Sequence, residues 1–167
     1  MTDVETTGDI FGVHEILEIG LVVFDQNTFE IIDTLEVKVK PTSLKNAIPA
    51  ALEKNGYSVK EWEGAVSLKD AMEIYASKTE GCAFCSFNVS FDWGFINDAF
   101  IKTGIKDKTD YHRLDLLSMA WIKGLGKNEK WTLKTACEIF GVPPEPMPHS
   151  ALNGAMTAYE LFKKLNG

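Results

Sequence analysis

Asp3 and Glu5 stand two residues apart in the opening string Met1-Thr2-Asp3-Val4-Glu5-Thr6-Thr7-Gly8. In an extended strand, side chains two apart point to the same side, so both carboxylates would face one small volume. Like charges that close are costly unless a cation lies between them. Thr6, Thr7 and Gly8 then add hydroxyls and a backbone permissive enough to approach a ligand closely. A solvated acidic segment could carry the same residues, so the pair gains meaning only from the rest of the chain.

Asp92 is the second candidate. It lies in helical register with Phe95, Ile96 and Ala99, which puts a carboxylate on an apolar face. Burying that charge without a partner is expensive, so either the helix end is exposed there or Asp92 faces a cation or polar site. His149 is the third; taken alone it reads as a helix-start residue beside Pro148 that hydrogen-bonds backbone. Cys82 and Cys85 form a C-x-x-C without a second pair or a nearby His to complete a zinc site, and they read as free buried thiols.

These residues must be positioned by a chain of 167 residues that is 45% hydrophobic, enough for one sizeable core, and residues 1–167 read as a single domain. The net charge is −7, from 24 acidic against 17 basic residues, which argues against a protein that slides along duplexes. It leaves room for an enzyme that grips a strand end, because bound divalent metal can reverse the sign of its pocket locally. Lys123, Lys127, Lys130 and Lys134 could line such a pocket or form a solvated stretch. The longest apolar runs are too short to cross a bilayer and no basic leader precedes the acidic start, so the expectation is a soluble, cytoplasmic protein without a membrane partner.

Residues 16–24 are almost continuously apolar, the pattern of a strand covered on both faces. Residues 30–40 alternate and end at Pro41, as an antiparallel partner would. Helices are expected over 47–54, 67–78, 91–102, 114–122, 132–140 and from His149 onward, with a short buried strand at 82–87. Ser67 and Asp70 form a capping-box-like start, Gly141 stops the fifth helix, and Pro143, Pro144, Pro146 and Pro148 mark a rigid connection before the last. This order suggests an α/β domain with a mixed sheet and helices on its faces.

Four segments together resemble the DEDD-type 3′-5′ exonucleases, in the DEDDh branch whose last motif carries a histidine, similar to the proofreading (DnaQ-like) family. Asp3-Val4-Glu5-Thr6-Thr7-Gly8, followed by the run from His14 to Gly20, resembles the first motif. Asn88-Val89-Ser90-Phe91-Asp92-Trp93-Gly94-Phe95 resembles the second, Arg113-Leu114-Asp115 an intermediate segment, and His149-Ser150-Ala151-Leu152 the last. The resemblance implies a ribonuclease H-like fold with a five-stranded mixed sheet, its first three strands antiparallel. It implies two divalent metals, Mg²⁺ or Mn²⁺, held by four carboxylates at the terminal phosphodiester of single-stranded DNA or RNA. Carried over by motif position, Asp3 and Glu5 would be metal ligands, Asp92 would support the site directly or through water, and His149 would be the general base. Thr6, Thr7 and Gly8 would approach the terminal nucleotide, with Asn88 and Phe91 near the scissile end. A polymerase or repair partner is consistent with the family, as is a non-catalytic module that binds nucleic-acid ends.

The chain departs from that pattern twice. The family's fourth carboxylate falls at Gly154, which has no side chain to coordinate and in a helix interior costs roughly 0.5–1 kcal/mol relative to alanine. Asn153 offers only a neutral oxygen, pointing about 100° around the helix. Weak or absent turnover is therefore expected, unless another carboxylate completes the site. Second, only Met1 and Thr2 precede Asp3, so the first strand looks truncated. Unpaired backbone and low stability would follow, and the Met1 ammonium could partly neutralise the carboxylates.

Overall fold

The computed structural model describes residues 1–126, 130–146 and 149–167; Lys127 and Pro148 lie outside the described residues. The chain runs β1 (Thr2–Thr6), β2 (Ile16–Phe24), β3 (Ile31–Lys38), α1 (Pro49–Lys54), α2 (Leu68–Lys78), β4 (Phe84–Ser86), α3 (Val89–Thr103), β5 (Arg113–Asp115), α4 (Leu116–Lys123), α5 (Leu133–Phe140) and α6 (Ala151–Asn166). β2 lies between β1 and β3 in an antiparallel sheet, while β4 and β5 pair in parallel, so the five strands form ladders of three and two.

The apolar run of β2 is apolar because both its faces are covered. Ile19 and Leu21 pack with Ala71, Met72 and Tyr75 of α2 and Phe95 and Ile96 of α3. Val22 packs on the opposite side with Leu116, Ala136, Ala158 and Leu161 of α4, α5 and α6. The helices thus form one layer on each side of the strands.

Local signals set the helix starts. Ser67 accepts a hydrogen bond from the Asp70 amide to open α2, and Thr132 and Thr135 form a reciprocal capping box on α5. Gly141 ends α5 at φ 68°. α1 begins at Pro49, two residues inside the expected 47–54, because proline suits the first helical turn. The segment expected as helix over 114–122 is instead a strand that becomes a helix: Leu114 pairs with Cys85 in β5, and Asp115 then caps α4 by accepting from the Ser118 amide at 3.2 Å. The short apolar run looked helical by period, but its pairing with β4 decides its state.

The expectation of unpaired backbone beside β2 at this end of the sheet is corrected. The motif is itself the strand: Thr2 to Thr6 each have a register partner on β2, and Met1 extends the ladder, its carbonyl accepting from the Val22 amide at 2.8 Å. The Met1 ammonium does not serve the carboxylates. It is buried and donates to the Val22 carbonyl at 2.7 Å, and burial lowers its pKa to about 6.

β2 also sets where α6 begins. A Cβ at Gly20 would come within 2.0 Å of the carbonyl carbon and oxygen of Ala151 and 2.3 Å of the Leu152 nitrogen. The first turn of α6 therefore lies directly on strand backbone, which only glycine allows. Two residues earlier on β2, Glu18, 3% exposed, accepts a hydrogen bond from the Ala151 amide at 3.4 Å and anchors the same helix end.

Gly20→Ala is expected to lose about 3 kcal/mol, the upper end of overpacking costs, or roughly 6–12 °C in Tm. Gly64→Ala, where an added methyl meets nothing within 4 Å, serves as the control and should leave Tm nearly unchanged in a thermal melt. Burial raises the Glu18 carboxyl from 4.5 to about 7. Between those values the folded chain keeps a proton that the unfolded chain releases, so stability falls as pH rises. Denaturant titrations in chelator should show lower unfolding free energy at pH 8 than at pH 5, with a shallower decline in Glu18→Gln.

Candidate active site

Asp3 and Glu5 project from the same face of β1, as the strand period requires, while Val4 between them enters the core. Three neighbouring elements close around them. Asn88, in the left-handed region at φ 68°, turns the chain from β4 into α3; asparagine tolerates that conformation better than most residues. The Asp115 carboxylate accepts from the Val89 amide at 3.0 Å, fixing the start of α3 to β5 and α4. Asp92 therefore sits in the first turn of α3, 2% exposed, and its Oδ1 accepts from the Val4 amide at 3.1 Å. The helix end is not exposed there, and Asp92 meets the strand backbone of Val4 beside the acidic pair.

The first turn of α6 supplies the rest. Ser150 caps it by accepting from the Asn153 amide at 3.3 Å. A Cβ at Gly154 would lie 2.5 Å from Oδ2 and 2.8 Å from Cγ of Asp3. Position 154 thus abuts the Asp3 carboxylate, and the Asp3 side chain takes the room that a larger residue at 154 would need. That local reason for glycine is invisible in the sequence. His149, half-buried just before the cap, has Nδ1 3.0 Å from Oε2 of Glu145. Its charge favours the ionised form of Glu5.

Burial, with the charges of Asp92 and Glu5, pushes the Asp3 carboxyl well above the usual carboxylate range. Burial raises Glu5 also, against the opposing charge of Lys54. Asp92 is driven up to about 7 by burial, with the Val4 amide opposing. Carboxyl groups held this way favour either a proton or a cation. Their hard oxygen donors suit Mg²⁺ or Mn²⁺. Among the described residues, however, no three His, Cys, Asp or Glu side chains converge into a formed metal site.

Asp3, Glu5, Thr6, Gly8, Asn88, Phe91 and Asp92 line one cleft of about 290 Å³. Thr7 does not: it is 1% exposed, its Oγ1 accepts from the Glu15 amide at 2.9 Å, and it fixes the turn instead. A larger cavity of about 430 Å³ lies around Met1, Cys82 and Phe162 and includes none of these carboxylates. Three residues that the sequence reading missed belong to the site. Lys54, at the end of α1, lines the cleft, and Asn55 donates to the Thr6 carbonyl at 2.9 Å. Both come from a helix that carried no chemical signal. Glu145 lies among the prolines, where its spacing of four from His149 was the available clue. Of the lysines considered from sequence, Lys123 donates to the Leu165 carbonyl. Cys82, Cys85 and Cys137 are free thiols, Cys82 being only half-buried.

The family model for exonucleases of the ribonuclease T type matches residues 1–162. The 3′-5′ DNA exonuclease Cap18 of Escherichia coli is 32% identical, across 98% of this chain and 89% of its own length. A ribonuclease T from a Shewanella strain is 31% identical, across 96% of this chain and 77% of its own. Among solved structures, product-bound exonuclease I superposes with a TM-score of 0.79 over 99% of this chain at 16% identity. The E. coli exonuclease I complex with a dA16 oligonucleotide gives 0.80 at 17% identity. This chain spans about two fifths of exonuclease I, 42% and 40% in those two structures, so that likeness concerns the fold alone. Since the family match runs through β1, the turn into α3 and the start of α6, the elements that gather the acidic residues, the chain belongs to the exonuclease family within the DEDD superfamily.

Proposed function

We infer that this chain is a metal-dependent 3′-5′ exonuclease domain acting on the 3′ end of single-stranded nucleic acid, with turnover lowered by Gly154. The observation that carries the reading is the crowding of Asp3, Glu5 and Asp92 beside a histidine, at a stability cost that a cation would relieve. Asp3 and Glu5 would hold the ion, with Asp92 supporting it directly or through water. A bound divalent ion would stabilise charge on the phosphate and acidify a water. His149 would take the proton of that water. Lys54 offsets part of the negative charge of the cleft and is placed to meet a phosphate.

Neutral contacts suit the remaining substrate. Phe87 and Phe91 line the cleft, and beside it the loop at 9–13 exposes Phe11, 54% accessible, whose ring meets Phe95 edge-on. Aromatic faces bind single-stranded bases by stacking, which requires no basic field and agrees with the net charge of −7. The relatives include both a DNA exonuclease and a ribonuclease T, and the reading covers either polymer. Among the described residues, no helix is long and apolar enough to cross a membrane.

Gly154 also favours a second reading, a module that binds ends without cleaving them, because Asp3 occupies the space of the missing ligand. The deciding experiment compares this chain with Gly154→Asp for Mg²⁺- and Mn²⁺-dependent release of mononucleotides from 3′-labelled single-stranded DNA and RNA. The variant should gain at least about 10 to 100-fold in activity at limiting metal. In chelator it should melt lower than the parent, since Asp3 must move and a fourth charge joins the cluster. No turnover from either folded chain would favour the binding module. In whichever chain is active, His149→Ala should lower kcat by roughly 10² to 10⁴-fold, and an unchanged rate rejects its role as base.

A further inference from the structure

We propose that Glu145 is a positioning residue for His149: it holds the imidazole through Nδ1 and leaves Nε2 as the base. The proposal rests on the hydrolase reading above and concerns a carboxylate outside the four family positions.

Glu145 is costly where it stands. Its side chain is 18% exposed, and its Oε1 is buried without a hydrogen-bond partner among the described residues. The groups that face it add to the cost. Its charge pushes up the carboxyls of Asp3 and Glu5 on β1 and the Cys137 thiol on α5, while Lys54 on α1 acts on Asp3 and Glu5. A half-buried carboxylate with a buried, unsatisfied oxygen and acidic neighbours does not serve stability. Its Oε2 meets the imidazole of His149, with Nδ1 at 3.0 Å. That contact strengthens when the imidazole becomes positive, as a base does on taking a proton.

The local sequence restrains the backbone at Glu145. Glu145 lies between Pro144 and Pro146, and a residue before proline is held extended. Beyond His149, Ser150 and Glu18 fix the start of α6 by capping it. A carboxylate at Nδ1 keeps the neutral ring protonated there, so the free lone pair is on Nε2. In hydrolysis, a water proton passes to Nε2 as its oxygen forms the new P–O bond and the P–O3′ bond breaks. The imidazolium then returns the proton to the departing 3′-oxygen or to solvent, while the Glu145 contact at Nδ1 keeps the ring oriented.

The test begins with ¹⁵N NMR of the histidine side chains in chelator, with His149 assigned by His149→Ala. The folded parent should show neutral His149 protonated on Nδ1, and Glu145→Ala should shift it toward the Nε2-protonated form. An Nε2-protonated ring in the parent overturns the proposal even if the variant does not fold. In an active chain, Glu145→Ala should lower kcat by about 10 to 100-fold, with KM and half-saturating Mn²⁺ unchanged and no further loss when combined with His149→Ala. Recovery of kcat at high Mn²⁺ would make Glu145 a metal ligand instead and overturn the proposal. If neither the parent nor Gly154→Asp turns over, the hydrolase reading fails while the tautomer still decides the Glu145–His149 relationship.

Discussion

The close approach of α6 to β2 at Gly20 is the constraint on which the rest of the molecule depends. Helix backbone rests where a Cβ would stand 2.0 Å from Ala151, and Glu18 holds the helix end from the same strand. This contact sets how far α6 reaches along the sheet. It thereby brings Gly154 against Asp3 and His149 within electrostatic reach of Glu5. A helix displaced by one side-chain layer would take residue 154 and His149 away from Asp3 and Glu5. The packing of Ala155, Ala158 and Leu161 into the core then carries that placement along the length of α6.

Around that contact the protein accumulates negative charge in a partly dehydrated cleft. Burial is the first cause of the raised carboxyls of Asp3, Glu5, Glu18 and Asp92, and mutual repulsion adds to it for the site residues. Such an arrangement weakens the fold as the groups ionise, and binding of a cation to the folded state would restore stability by mass action. Gly154 has two opposing effects. It leaves no carboxylate at position 154, and it relieves the protein of a further charge and of a collision with Asp3. Both follow from the one missing side chain.

The exposed apolar loop and the aromatic cleft lining complement this acidic centre. Phe11 sits over Gly94, where an added Cβ would fall 2.6 Å from its ring, so the second motif's glycine shapes the loop that follows the first. The two motifs are coupled by packing as well as by charge. Affinity for a strand end would then come from stacking and local cations rather than from a basic surface.

The strand period of Asp3 and Glu5, the covered strand at 16–24, the helical register of Asp92, the cap at Ser67 and the stop at Gly141 are properties of neighbouring residues, and the sequence alone determined them. The family resemblance extended this to His149 and to the vacancy of a carboxylate at Gly154. What depends on partners far along the chain could not be read there. Leu114 became strand because β4 lies beside it, and Thr7 turned inward to the Glu15 amide. Lys54, Asn55 and Glu145 joined the site from segments without chemical pattern. The reason is physical: periodicity and capping act over a few residues, whereas burial, charge coupling and the collision at residue 154 depend on distances that exist only after β1, α3 and α6 have packed together.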